Sequence, residues 1–282
     1  HLIRPGDFAN SRTVLPMSDP VTPVTQADCW KIGGVSVVGF SHIDEDIPCQ
    51  DALAFKVKDN GQLIAAVADG AGSARLSHIG AQAFVDGAVS KIHALPGSEE
   101  IDPENIAAEL TIAINETRER LLVEHGDGES DTPASLRDFA ATFLMVVADA
   151  DGGAFFHVGD GAGTRFAADD IASAVVSKPE NGEYANETYF VTRENWESHL
   201  RVTRFDGAFD TILLMSDGVT PMAMTKGCAG PFENFVTPVV GYLKNADGAT
   251  GEAAVVNTLS AENVRAVTGD DKTLLWAIRT PS

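Results

Sequence analysis

Cysteine is scarce in this chain and poorly placed for chemistry. Its three cysteines, Cys29, Cys49 and Cys228, are an odd number at no metal-ligand spacing. That pattern excludes a cysteine-built metal site and points to free thiols in a reducing cytoplasm. Cys49 stands two residues before Asp51, yet neither a partnered histidine nor a helix start marks it as a nucleophile. Basic residues are also few: 20 Lys and Arg face 41 Asp and Glu, a formal net charge of −21. Nucleic acid and anionic membrane surfaces are thereby argued against, since neutralising phosphates needs clustered cations. No apolar run approaches the roughly 20 residues that span a bilayer, and no charged-then-apolar leader opens the sequence. The expectation is a cytoplasmic protein that binds no membrane.

What the chain has is enough apolar material for a large core. Of its 282 residues 44% are hydrophobic and 22% charged, ordinary proportions for a soluble globular domain. It also has aspartates in unusual company. Asp69 lies in Val-Ala-Asp-Gly-Ala-Gly, Asp160 in His-Val-Gly-Asp-Gly-Ala-Gly, Asp217 in Leu-Met-Ser-Asp-Gly-Val-Thr and Asp270 in Thr-Gly-Asp-Asp-Lys-Thr. A short apolar run that ends in a carboxylate and a glycine presents an oxygen ligand at the rim of a sheet. Asp-Gly is also a common turn dipeptide, so one such site carries little weight. Four of them, without a usable Cys or His pair, point to hard divalent cations.

Hairpin geometry adds a fifth carboxylate. Residues 52–58 and 62–68 read as strands around Asp59-Asn60-Gly61, a strong hairpin turn. Asp51 and Asp69 flank that hairpin at equal distance from Asn60, so antiparallel pairing sets them side by side. A second hairpin, 141–148 with 154–158, delivers Asp160 similarly. Two carboxylates about 4 Å apart repel by roughly 4 kcal/mol at an effective dielectric of about 20. Such a cluster needs protons or metal, and Mg²⁺ or Mn²⁺ suits all-oxygen ligands where zinc would recruit Cys or His.

The remaining pattern is mixed. Residues 1–28, rich in Pro, Ser, Thr and Asp, read as an extended arm ahead of a single domain over 29–282. A strand is expected from Trp30, and a helix over 77–95. A second helix is capped by Asp102, with Pro103 in its first turn, and runs to Gly126. The stretch 167–200 reads as a polar insertion. A strand follows at 211–215, helices at 233–244 and 251–265, and a last strand at 273–278. Strands and helices do not alternate as βα units, which suits an α+β layered domain with antiparallel sheets.

Taken in order, Cys49-Gln50-Asp51-Ala52, Val67 to Gly72, Val158-Gly159-Asp160, Ser216-Asp217-Gly218 and Asp270-Asp271-Lys272-Thr273 resemble the motifs of the metal-dependent protein phosphatases of the protein phosphatase 2C type, in a bacterial-like branch. The resemblance covers about residues 35–280. It implies a four-layer α-β-β-α sandwich, two antiparallel sheets flanked by helices. It also implies two Mn²⁺ or Mg²⁺ ions, with a third, weaker one, and hydrolysis of phosphoserine or phosphothreonine. Asp51, Asp69, Asp217 and Asp270 match the metal-binding, catalytic aspartates; Gly70 matches the glycine that offers its carbonyl, and Asp160 matches the third-ion aspartate. Asp271 is expected to be solvated or bonded to local backbone, and 167–200 matches the family's flap. Phosphorylated protein, the target of a cognate Ser/Thr kinase, is the implied partner. A non-catalytic phosphatase-like scaffold and a small-molecule phosphatase are the alternatives.

The chain departs from the family at three points. Gln50 replaces a frequent Glu. No Arg lies between Ser41 and Asp51 to clamp phosphate, which leaves His42 or Arg75 as substitutes. Ala71 stands where some members carry an acid histidine, so a metal-bound water or His78 would protonate the leaving group.

Overall fold

In a computed structural model of the chain, residues 30–97, 100–126, 133–180 and 188–279 are described. The expected arm at 1–28 and residues 181–187 of the expected flap lie outside them.

Ten strands make two five-stranded sheets, antiparallel throughout. The first sheet has the order β1 (Trp30–Val37), β10 (Lys272–Arg279), β9 (Thr211–Met215), β6 (Ala162–Ala167) and β7 (Asp170–Ser177). The second has the order β2 (Ala52–Val57), β3 (Leu63–Ala68), β4 (Phe143–Ala148), β5 (Gly152–Val158) and β8 (Arg201–Asp206). The long helices α2 (Ser77–Ala94) and α3 (Pro103–Gly126) follow the short α1 (Phe40–Glu45). After the four-residue α4 (Thr220–Ala223) come α5 (Glu233–Asn245), α6 (Gly248–Leu259) and α7 (Glu262–Arg265).

The layering follows from the two-residue period of a strand. Along β3, Leu63, Ala65 and Val67 face the space between the sheets, while Ile64, Ala66 and Ala68 join Phe84, Val85 and Ala88 of α2. β10 divides in the same way. Leu275 and Ala277 enter the inter-sheet core, and Leu274, Trp276 and Ile278 pack with Val240 of α5 and Val255 of α6. The strands β3, β4, β9 and β10 are thus apolar on both faces, which is why these segments read as continuous hydrophobic runs. The result is the expected α-β-β-α sandwich. Among the described residues no helix is long and apolar enough to cross a membrane.

Register carries the sandwich to its rim. Ala52 pairs with Ala68, so Asp51 and Asp69 leave the sheet opposite one another. Met215 pairs with both Leu274 and Ala162, which brings the connections after β9, before β10 and before β6 to one end of the other sheet. Ser216 N–H donates to the Thr273 carbonyl at 3.1 Å, and Thr273 N–H returns a bond to Ser216 Oγ at 3.0 Å, locking the two connections that carry Asp217 and Asp270.

The expected insertion over 167–200 is largely structured. Its first half is the edge strand β7, which pairs with β6, and its end is a 3-10 turn at Trp196–His199. Polar residues hid β7 and β8, because an edge strand keeps one face in solvent. The expected helix over 251–265 breaks at Ser260 and Ala261, which divide α6 from α7.

Asp102 caps α3 as its sequence suggests: its Oδ1 accepts from the N–H groups of Glu104 and Asn105 at 3.1 and 3.2 Å. Replacing it by Ala removes those acceptors far from the rim. Urea titration should show Asp102→Ala less stable by about 1 kcal/mol, with an unchanged m value.

Candidate metal centre

A cavity of about 230 Å³ opens at the rim, and Asp69, Gly70, Asp160, Asp217, Asp270 and His42 are among the residues that line it. Five of the six expected site residues therefore converge. The sixth, Asp51, is buried beside the cavity without lining it, and interacts electrostatically with Asp69 and Asp217.

Each carboxylate is placed by backbone bonds of its own. Asp69 follows β3; its N–H donates to Thr142 Oγ1 at 3.0 Å, and the Thr142 N–H donates back to the Asp69 carbonyl at 2.8 Å. Asp160 ends the loop after β5, where its Oδ2 accepts from the Thr188 hydroxyl at 2.5 Å. Gly70 N–H donates to the Gln50 carbonyl at 3.2 Å, and a Cβ at this glycine would stand 2.6 Å from that same oxygen. Only glycine lets the segment carrying Asp69 approach the segment carrying Asp51 so closely. A Cβ on Gly218 would meet the Asp271 carbonyl at 1.9 Å, so the Asp217 loop depends on a glycine in the same way.

Electrostatics set the character of the site. Burial, followed by the neighbouring Asp271, pushes the Asp51 carboxyl up to about 8. Burial likewise raises Asp69 well above the ordinary aspartate range, with Asp51, Asp217 and Asp160 adding to the rise. Asp217 is held at about 6, chiefly by burial, and accepts a hydrogen bond from the Asp69 carboxyl. Both Asp51 oxygens and Asp217 Oδ1 are buried without a hydrogen-bond partner of good geometry. Buried carboxylate oxygens left this way are costly unless a proton or a cation meets them. Among the described residues no Lys or Arg lines the cavity; Lys272 is fully buried nearby, with Nζ 2.9 Å from the Asp270 carbonyl and 5.0 Å from the Phe40 ring.

The donor set fits a hard divalent cation. It is all oxygen, several of its atoms are unpartnered, and it is crowded with like charge. Among the described residues no three of Asp, Glu, His and Cys already enclose an ion-sized point. An open set of this kind suits Mg²⁺ and Mn²⁺, which retain several waters and take one or two carboxylates each.

Asp270 and Asp271 are set in different surroundings, and Asp271 departs from expectation. Asp270 is exposed and lines the cavity. Asp271 is only 4% exposed, and its bonds are distant ones: Gly39 N–H and Gln50 N–H donate to it at 2.6 Å each, and His42 Nδ1 lies 3.0 Å away. It is a staple between β10, the β1–α1 connection and the start of β2. Arg75 does not line the cavity and pairs with Asp138 at 3.3 Å, and His78 is absent from the lining as well. Cys49 is unsuited to attack, because burial raises its thiol pKa and Asp51 and Asp271 raise it further. Sequence reasoning did not find Thr142 or Thr188. Their only signal is position opposite an aspartate, which needs the register.

Residues 38–260 match the sequence family described as protein phosphatase 2C. Serine/threonine-protein phosphatase 3 of Escherichia coli K12 is 31% identical over 261 residues, 88% of this chain and 99% of that protein. Among solved structures, serine/threonine phosphatase Stp1 from Staphylococcus aureus superposes with a TM-score of 0.59 at 13% identity, over 89% of this chain and 95% of that one. The catalytic domain of the phosphatase PstP, in complex with two manganese ions, gives a TM-score of 0.59 at 12% identity, over 89% and 99% of the two chains. At these identities the structures speak for the fold alone.

The raised carboxyls predict how metal and pH interact. Asp51 near 8 and Asp217 near 6 keep protons that an unfolded aspartate loses near 4. In the metal-free protein their contribution to stability is full below about pH 4 and is lost as pH rises through the folded values. Metal replaces those protons, so its stabilisation should grow over the same window. The difference between urea midpoints in Mn²⁺ and in EDTA should widen from about pH 5 to about pH 8. His157, whose pKa is lowered by burial, titrates in both arms and cancels. A difference independent of pH would count against these carboxylates as ligands.

Proposed function

The chain belongs to the protein phosphatase 2C family and is a metal-dependent serine/threonine phosphatase; from that premise we propose that Asp51, Asp69, Asp160, Asp217, Asp270 and the Gly70 carbonyl hold its ions. Two core ions fall to Asp51, Asp69, Gly70, Asp217 and Asp270. Asp160 serves a third, weaker one. The observation that carries the assignment is the trio of buried, unpartnered oxygens on Asp51 and Asp217 beside a cavity lined by further aspartates. The substrates in this reading are phosphorylated proteins, turned over in opposition to a Ser/Thr kinase in the cytoplasm.

When bound, divalent ions lower the pKa of a water and neutralise phosphoryl oxygens, which supplies most of the catalysis of phosphoryl transfer. The chain's own part is placement. Thr142 fixes the Asp69 backbone from both sides, and the Ser216–Thr273 pair fixes the rim from which Asp217 and Asp270 project. The stacked sheets bury Asp51 beside the cavity, away from bulk water. No covalent phosphoenzyme enters, and no thiol is required.

Phosphothreonine peptide and p-nitrophenyl phosphate should both be hydrolysed with Mn²⁺ or Mg²⁺ and not in EDTA; full activity in chelator would sink this reading. Changing the three cysteines to Ser should leave turnover within a few-fold. Asp69→Asn should lower kcat at least about 10²-fold, or 2.7 kcal/mol. Asp160→Asn should leave tight metal binding intact by calorimetry while raising the metal concentration needed for activity. Equal loss of tight binding in both variants would make Asp160 a core ligand instead.

A further inference from the structure

We propose that His42 is the group that protonates the seryl or threonyl oxygen as it leaves phosphorus. The inference rests on the phosphatase reading and adds a catalytic residue to it. A leaving alkoxide needs a proton, and the cavity offers few sources. Among the described residues its lining holds five aspartates, and apart from them His42 is the one ionisable side chain there. Carboxylates engaged as ligands cannot donate. The Ser73, Thr142 and Thr188 hydroxyls are too weakly acidic to give up a proton outright, and that of Thr188 already donates to Asp160.

The setting of His42 suits the task. Its side chain is 12% exposed, and it reaches the cavity rather than the outer surface. Nδ1 lies 3.0 Å from Asp271 Oδ1, on a carboxylate that also accepts two backbone N–H groups at 2.6 Å. Asp271 is an acceptor to all three, so Nδ1 carries a hydrogen and the ring cannot turn over. A buried carboxylate in that position orients an imidazole and fixes which of its nitrogens faces the cavity. Nε2 is left as the working atom. It points towards Gly72 in the cavity wall, 3.9 Å from where a Cβ on that residue would stand. The glycine leaves this approach open to a substrate.

The step balances. A water oxygen forms the new P–O bond, and the bond from phosphorus to the seryl or threonyl oxygen breaks with its electron pair on that oxygen. The proton on Nε2 moves to it, giving the free hydroxyl. The proton shed by the attacking water returns to the imidazole through solvent. Phosphate and alcohol are the only products.

A general acid matters for poor leaving groups and little for good ones, and this separates the role from a structural or phosphate-binding one. His42→Asn keeps a donor facing Asp271 and removes Nε2. With Mn²⁺ present, the variant should retain kcat on p-nitrophenyl phosphate within about 3-fold. On a phosphothreonine peptide kcat should fall about 10²-fold or more, with KM little changed. Across a series of aryl phosphates, wild-type kcat should depend weakly on leaving-group pKa, and the variant's steeply. Equal losses on both substrates, a change confined to KM, or no loss at all would each overturn the assignment. If the variant fails to fold by circular dichroism, a steep wild-type series overturns it alone. Absence of wild-type hydrolysis of either substrate would instead overturn the phosphatase reading, and this inference with it.

Discussion

Like charge held at close quarters is the constraint around which this molecule is organised. Asp51, Asp69, Asp160, Asp217 and Asp270 come to one rim, and burial raises the first two and Asp217 out of the ordinary carboxylate range. Were they ionised together, two such carboxylates about 4 Å apart would repel by about 4 kcal/mol at an effective dielectric of about 20 and push their loops apart. Two stacked sheets oppose that push. Their central strands are buried on both faces, so a strand end cannot drift without opening either the inter-sheet core or a helix layer. Rigidity here is electrostatic work done by packing.

Two polar residues beneath the rim complete the arrangement. Asp271 gathers donors from the β1–α1 connection and the start of β2, and Lys272 lies fully buried under the cluster against Phe40 and the Asp270 carbonyl. A buried lysine is unfavourable alone, and burial indeed lowers its pKa while the surrounding aspartates raise it. Each of these groups is tolerable because of the other. The two-residue step Asp271-Lys272 thus fastens the floor of the site, and Asp270 one residue earlier is free to face the cavity.

Much of this was legible in the sequence, for identifiable reasons. The Asp59-Asn60-Gly61 turn dictated the register that sets Asp51 against Asp69, and the structure pairs Ala52 with Ala68 accordingly. Asp102 and Pro103 marked the start of α3, and unbroken apolar runs marked β3, β9 and β10. Elements with one wet face were hidden: β7 read as part of a polar insertion and β8 was not read at all, because many of their residues meet solvent. The role of Asp271 was illegible for another reason. Its partners Gly39 and Gln50 lie 232 and 221 residues away, and no local pattern reports a bond of that span. Thr142 and Thr188 escaped notice likewise, since a threonine announces a hydroxyl but not its neighbour.

The pairing of β1 with β10 joins the two ends of the domain, Trp30 against Arg279. Contacts of such sequence separation form late and slowly, because a long loop must close before any of them rewards it. Asp270 and Asp271 arrive only with that last strand. A nascent chain that has made Asp51, Asp69, Asp160 and Asp217 but not β10 therefore lacks both the Asp270 carboxylate at the rim and the Asp271 staple that ties the β1–α1 connection to the start of β2.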